Sequence, residues 1–158
     1  MNPDVLIVGG SYAGIAAALI LARARRPVTI IDAGSPRNRF ASHSHGVLGL
    51  DGISGAELLK NARQQLLDYP TVRWLNAEAV QATLRTEGVE VRTADGQVLT
   101  ARKLLLATGI ADQLPDLPGL AERWGSTVLH CPYCHGYEVG GGAIGLLGGQ
   151  PFSASKAP

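Results

Sequence analysis

The residues best suited to chemistry stand together at His130-Cys131-Pro132-Tyr133-Cys134-His135. Two cysteines with two residues between them can close a small disulfide, and a low thiolate pKa makes such a pair an exchange catalyst. The flanking histidines can favour the thiolate or carry its proton. Other chemistries compete for the same residues. Cys131 to His135 spells the C-x-x-C-H of c-type haem attachment, but that chemistry follows export, the chain shows no export signal, and its only methionine is Met1. A zinc site on Cys131, Cys134 and a histidine lacks a second ligand half nearby. A glutaredoxin-type thiol module can carry the same Cys-Pro-Tyr-Cys, yet there the motif begins a domain, and only 24 residues follow Cys134. The blandest alternative is two buried cysteines at chance spacing.

What must position this pair is an α/β framework organised around Asp4 to Asp32. Val5-Leu6-Ile7-Val8 is an apolar strand, Gly9-Gly10-Ser11-Tyr12-Ala13-Gly14 a turn, and Ile15 to Arg25 an alanine-rich helix. Val28-Thr29-Ile30-Ile31 is a second strand, ending on Asp32. Strand, glycine turn, helix, strand and acid in that order make the layout of a dinucleotide-binding βαβ unit. Gly9 lets the chain turn tightly. Small residues let backbone approach a pyrophosphate, whose charge suits the N–H groups at a helix start. Gly14 lets the helix lie close on the sheet. Asp32 falls 18 residues after Gly14, near the roughly 20 expected for an acid that holds a ribose hydroxyl. Ser11 takes the middle glycine position of G-x-G-x-x-G. It is small and its hydroxyl can itself reach a phosphate, so the motif is a variant. The competing reading is a crossover that binds nothing, but every flanking element agrees with the motif. With this unit upstream, a redox dithiol working beside a flavin is the favoured reading of the cysteines.

Composition narrows the partners. At 158 residues the chain is one domain, or one domain plus a piece. A net charge of +1 points neither to nucleic acid nor to an anionic membrane. Arg23-Ala24-Arg25-Arg26 is expected to complement a helix C-terminus. No run is long enough to span a membrane, and the N-terminus does not have the form of a signal peptide. Two cysteines without an export signal suggest a reducing, cytoplasmic setting.

The rest of the chain supplies elements in order. Ala33-Gly34-Ser35-Pro36-Arg37-Asn38-Arg39-Phe40 is an irregular segment whose arginines can reach adenylate phosphates, with Arg39 expected in solvent. Ser42 to Gly52 is a loop carrying His43 and His45, which lack the cysteines or clustered carboxylates of a metal site. Ser54-Gly55-Ala56-Glu57 has the spacing of a capping box and predicts a structural helix to about Tyr69, stopped by Pro70. Val72 to Leu75, Ala79 to Thr86, Val89 to Thr93 and Val98 to Leu106 read as strands, with turns at Glu87-Gly88 and Asp95-Gly96. They predict an antiparallel meander, after which Lys103-Leu104-Leu105-Leu106 returns to the main sheet and runs into Ala107-Thr108-Gly109. Those small residues suit either a plain strand end or close passage beside a cofactor. Leu114 to Gly119 is a proline-punctuated connection. Ala143-Ile144-Gly145-Leu146-Leu147 reads as a further strand meeting Gly148-Gly149, the start of a second dinucleotide turn. A complete unit needs about thirty residues, more than remain.

Taken together these residues resemble the flavin-dependent thioredoxin reductase-like family of pyridine nucleotide-disulfide oxidoreductases. The carrying features are Gly9 to Gly14, Asp32-Ala33-Gly34 with Pro36-Arg37-Asn38, Ala107-Thr108-Gly109, Pro118-Gly119 and Cys131 to Gly136, in the family's order from Asp4 to about Gln150. The resemblance implies a Rossmann-like FAD-binding three-layer fold with an inserted meander over residues 1–113. Residues 114–158 would be a linker and the start of an NAD(P)-binding unit carrying the C-x-x-C. It implies FAD against Gly9, Gly10, Ser11, Tyr12, Ala13, Gly14, Asp32, Ala33, Gly34, Arg37, Asn38, His45, Val80, Ala107, Thr108 and Gly109, with NAD(P)H on the second unit and no metal. Cys134 would face the flavin, Cys131 would attack substrate, and His135 would transfer protons where relatives commonly carry an aspartate. The implied substrate is a small-molecule thiol or disulfide or a thioredoxin-like protein, and the implied assembly a homodimer. Family members are about twice as long, so an apparently C-terminally truncated chain is expected to hold FAD weakly and to associate. A non-catalytic FAD-binding remnant, or half of a split oxidoreductase, is the second hypothesis.

Overall fold

The computed structural model describes residues 3–148. Four strands form a parallel sheet around the first βαβ unit. Strand β1 (Val5–Val8) is flanked by β2 (Val28–Asp32) and by β7 (Lys103–Leu106), and β3 (Val72–Asn76) adds to β2, giving the order β3-β2-β1-β7, parallel throughout. Between β3 and β7 the chain inserts the meander β4 (Ala79–Arg85), β5 (Gly88–Thr93) and β6 (Val98–Ala101). Its second turn holds Gly96 at φ +87, the conformation an Asp-Gly hairpin requires.

A parallel sheet needs cover on both faces, and the strand alternation distributes it. Ile7, Val28 and Ile30 point to one face, where helix α1 (Tyr12–Arg23) brings Ile15, Ala18 and Ala22, and helix α2 (Gly55–Leu67) brings Leu66. Leu6 and Ile31 point to the other face, where Val89 and Val91 of β5 and Ala101 of β6 cover them. The result is three layers: helices, parallel sheet and meander.

Several local expectations change. Helix α1 starts at Tyr12 rather than Ile15, because the first helical turn needs no intrahelical acceptors for its N–H groups and the glycine turn winds directly into it. It ends at Arg23 rather than Arg25. Arg25 adopts φ +56, with its N–H on the Ala22 carbonyl (2.8 Å) and that of Arg26 on Leu21 (3.0 Å), the two bonds of a left-handed helix stop. Ser54 does begin α2, but its side chain makes no capping hydrogen bond among the described residues, and the helix stops at Leu67. The expected strand Ala143 to Leu147 is not formed; residues 142–148 carry no regular structure, and Ile144, Leu146 and Leu147 are exposed. A short run of apolar chain cannot make a strand without a ladder to join. Gly149 onward lies outside the described residues.

Candidate active site

The carboxyl ends of parallel strands are where open α/β sheets receive ligands, and the expected nucleotide residues gather there. Gly9 follows β1 at φ +106, and a Cβ on it would strike the Ala107 carbonyl that follows β7. The Ala107 N–H in turn bonds the Val8 carbonyl at 2.8 Å. Gly14 backs onto the Gly9 carbonyl with no room for a side chain, which is why helix and turn sit so close. Gly10 donates its N–H to Asp32 Oδ1 (3.0 Å), pinning the turn to the end of β2. Helix α1 has no acidic residue in its first turn, and Ser11 makes no side-chain cap bond among the described residues, so its terminal N–H groups suit an anion.

A cleft of about 1960 Å³ runs from this turn across the molecule. Gly9, Gly10, Ser11, Tyr12, Ala13, Asp32, Gly34, Arg37, Asn38, His45, Ala107, Thr108 and Gly109 line it, and so do His130, Cys134 and His135. Gly14 is buried beneath it, while Ala33, Cys131 and Val80 lie off its wall; Val80 stands half-exposed on β4. The loop wall is tied by Asn38 Nδ2 donating to Tyr12 Oη (2.9 Å), with Ser44 Oγ 3.4 Å from the same hydroxyl.

The cysteines open helix α4 (Pro132–Val139), which follows the short helix α3 (Leu120–Arg123). Cys131 is the cap residue and Pro132 the first helical residue, a place where its missing N–H costs nothing. Cys134 comes one turn on, and its Sγ lies 2.8 Å from that of Cys131 as a thiol–thiol hydrogen bond. That bond is the first cause pushing the Cys134 thiol up, followed by burial and the Cys131 charge; Arg37 opposes them.

Two side chains bracket this helix. Arg37, in the 3₁₀ turn Arg37–Phe40, donates Nε and Nη2 to the two Asp112 oxygens at 2.8 and 2.6 Å, and its Nη1 lies 3.2 Å from His130 Nε2. A guanidinium has no acceptor, so Nε2 accepts. Burial, and after it the Arg37 charge, hold the His130 imidazole below its ordinary value, against the pull of Asp112. The rings of His130 and His135 meet edge-on at 5.8 Å. On the far side His45 stands 3.5 Å from Asp51 and 3.4 Å from Glu138 near the end of α4.

Two groups at the cleft have no marker in the sequence. Asp112 lies in an otherwise featureless connection. Trp74 of β3 covers Gly10 and carries the Arg63 guanidinium 4.2 Å above its ring, so α2, expected to be structural only, presents Lys60, Arg63 and Gln64 to the cleft. No group of three or more metal-type ligands occurs among the described residues. No helix among them is long and apolar enough to cross a membrane.

Comparison with known proteins matches this architecture. Residues 3–149 match the family described as pyridine nucleotide-disulphide oxidoreductase. The chain is 40% identical to thioredoxin reductase tcpT of Claviceps purpurea, over 94% of this chain and 47% of that one. To thioredoxin reductase aclD of Aspergillus oryzae it is 38% identical, over 97% and 50%. The crystal structure of an oxidoreductase from Agrobacterium tumefaciens superimposes with a TM-score of 0.93 at 48% identity, covering 98% of this chain and 52% of that one. The chain belongs to the pyridine nucleotide-disulphide oxidoreductases, on their thioredoxin reductase-like branch. It spans about half the length of the curated relatives it matches.

Proposed function

We propose that this chain supplies the flavin-binding part and the dithiol of an oxidoreductase that passes electrons between NAD(P)H, FAD and the Cys131–Cys134 pair, and so to a thiol or disulfide substrate. One observation carries this reading: the glycine turn and the C-x-x-C helix open onto the same cleft. The residues fit a flavin nucleotide. Gly9 and Gly10 pack against the Ala107 carbonyl and the Trp74 ring and bring no side chain to the turn, the start of α1, with no acid in its first turn, would hold the pyrophosphate, and Asp32 would hold the ribose. FAD bound there would supply two-electron exchange with the dithiol, with NAD(P)H as the reductant held by a second unit beginning in residues 114–158.

The protein's own part is thiol exchange. The Cys131 thiolate attacks one sulfur of a substrate disulfide, forming a mixed disulfide and releasing one substrate thiolate. Cys134, losing its proton to His135, attacks the Cys131 sulfur. The second substrate thiolate leaves, and the pair ends oxidised as an internal disulfide. An oxidase runs the same exchange in reverse. The names of the relatives, thioredoxin reductases, favour a thioredoxin-like protein as substrate, with a small disulfide as the other candidate the motif itself admits. A cytoplasmic homodimer belongs to the same reading.

The test begins with FAD added to the purified chain, followed by size-exclusion with a visible spectrum. Flavin co-eluting with protein supports the reading. Exchange is then followed by mixing the reduced chain with a small disulfide and measuring released thiol. Cys131→Ser is expected to abolish release, and Cys134→Ser to stop at the mixed disulfide. Unchanged release in either variant removes the dithiol from the mechanism. Flavin uptake without any exchange would favour the non-catalytic reading.

A further inference from the structure

The sequence directs Arg37 toward cofactor phosphates, but three of its guanidinium nitrogens are turned toward Asp112 and His130, beside the cysteine pair. We propose that Arg37, oriented by its fork on Asp112, is a positioning residue for the dithiol: it fixes His130 as an acceptor and holds its positive charge beside the cysteine pair, where it favours the thiolate that begins exchange. This deepens the function proposed above and rests on Cys131 and Cys134 being the exchanging pair.

Five observations support it. The Asp112 fork is bidentate at 2.8 and 2.6 Å, so the guanidinium plane is fixed rather than merely near. The third contact, at 3.2 Å, ends on the residue immediately before Cys131. Cys131 is the cap residue of α4, where the helix N-terminus adds its own preference for an anion. Cys134 Sγ donates to Cys131 Sγ, and a hydrogen bond in this direction stabilises negative charge on the accepting sulfur. Arg37 interacts with both sulfurs through its charge and draws the Cys134 thiol down, against the hydrogen bond that pushes it up. The other titratable groups around the contact are Asp112, His130 and His135, with Arg39 acting on Asp112.

An opposite charge within several ångströms moves a pKa by roughly 1–3 units. Removing it therefore predicts at least about a tenfold slower alkylation at neutral pH. The experiment measures iodoacetamide alkylation of the reduced chain from pH 5 to 10, with mass spectrometry to tell Cys131 from Cys134. In the wild type Cys131 is expected to react first. Arg37→Gln is expected to shift its profile upward, and Arg37→Lys to fall between the two. Circular dichroism checks that each variant is folded. Coincident wild-type and Arg37→Gln profiles overturn the proposal, as does an Arg37→Lys profile no nearer the wild type than Arg37→Gln. Alkylation needs no flavin, so a chain that fails to bind FAD still decides this question.

Discussion

The glycine turn and the dithiol helix face one cleft but are held there by different physics. The turn is fixed by backbone: β1 is hydrogen-bonded on both sides, Gly9 rests on the Ala107 carbonyl, and Leu6, Ile7, Ile30 and Ile31 are fully buried around it. Helix α4 buries none of its eight residues. It is held by Arg37 through His130 and by His45 through Glu138, contacts between partly exposed groups that each contribute little. The nucleotide end is thus part of the folding core, while the thiol end is free to shift with small changes in charge. A site of this kind can change position without unfolding, whereas its anchor cannot.

The sharpest way to break the comparison is to disturb the anchor. Gly9→Ala places a side chain at φ +106 and into the Ala107 carbonyl. Backbone strain and overpacking each cost about 1–3 kcal/mol, a large share of the roughly 5–15 kcal/mol that holds a domain together. Chemical denaturation should show the midpoint collapse. A near-normal midpoint would mean that the turn is looser than its contacts imply.

Next in size is a matched pair. Leu66→Ala opens a cavity under both helices and should cost about 2–5 kcal/mol. Tyr137→Ala, on a residue 95% exposed on α4, should stay within about 0.5 kcal/mol. Equal losses in thermal unfolding would place α4 in the core after all.

Smaller still is the effect of Asp32→Ala. It removes a charged acceptor from the Gly10 N–H and from the expected ribose, worth roughly 1.5–3 kcal/mol. FAD retention should weaken about tenfold or more in a side-by-side titration. Equal retention would remove Asp32 from the ribose site.

Legibility follows the same division. Backbone logic is written in residue type, so Gly9, Gly14, Asp32 and the Asp95-Gly96 hairpin are readable from the amino-acid sequence alone. The start of α1 is not, because Tyr12-Ala13-Gly14 satisfies a turn and a first helical turn equally well. The strand expected at Ala143 fails because its pattern is that of a buried strand, and pattern carries no information about whether a neighbour is there to pair with. The thiol end is legible only as far as its own motif. Asp112 lies 75 positions from Arg37, and nothing in a single acid on a connection marks it as that arginine's partner.

The smallest expected effect tests whether α4 is held by charge. Arg37 keeps the Asp112 carboxylate below its ordinary value, chiefly through their hydrogen bonds. A carboxylate lowered in this way stabilises the docked segment fully above its unfolded value of about 4, and that contribution is lost as pH falls through the lower folded value. Hydrogen exchange over residues 128–140, corrected for intrinsic rate, should therefore rise in two steps as pH falls from 7: the first below about 6.5, the ordinary histidine value, because His130 is lowered in the docked segment and protonation removes its acceptor for Arg37, and the second below about 4 with Asp112. Asp51 is lowered too, first by the Gly46 N–H and then by His45, so a step of the same sign belongs to the loop that contacts Glu138. Asp112→Asn separates the two. That variant should exchange faster at pH 7 and retain only the part of the acid step that Asp51 contributes. Because the Arg37–Asp112 pair is partly exposed, added salt should shrink the difference between wild type and variant at pH 7. If wild-type and Asp112→Asn chains exchange alike at every pH, packing rather than charge holds the dithiol helix, and the contrast between the two ends of the cleft disappears.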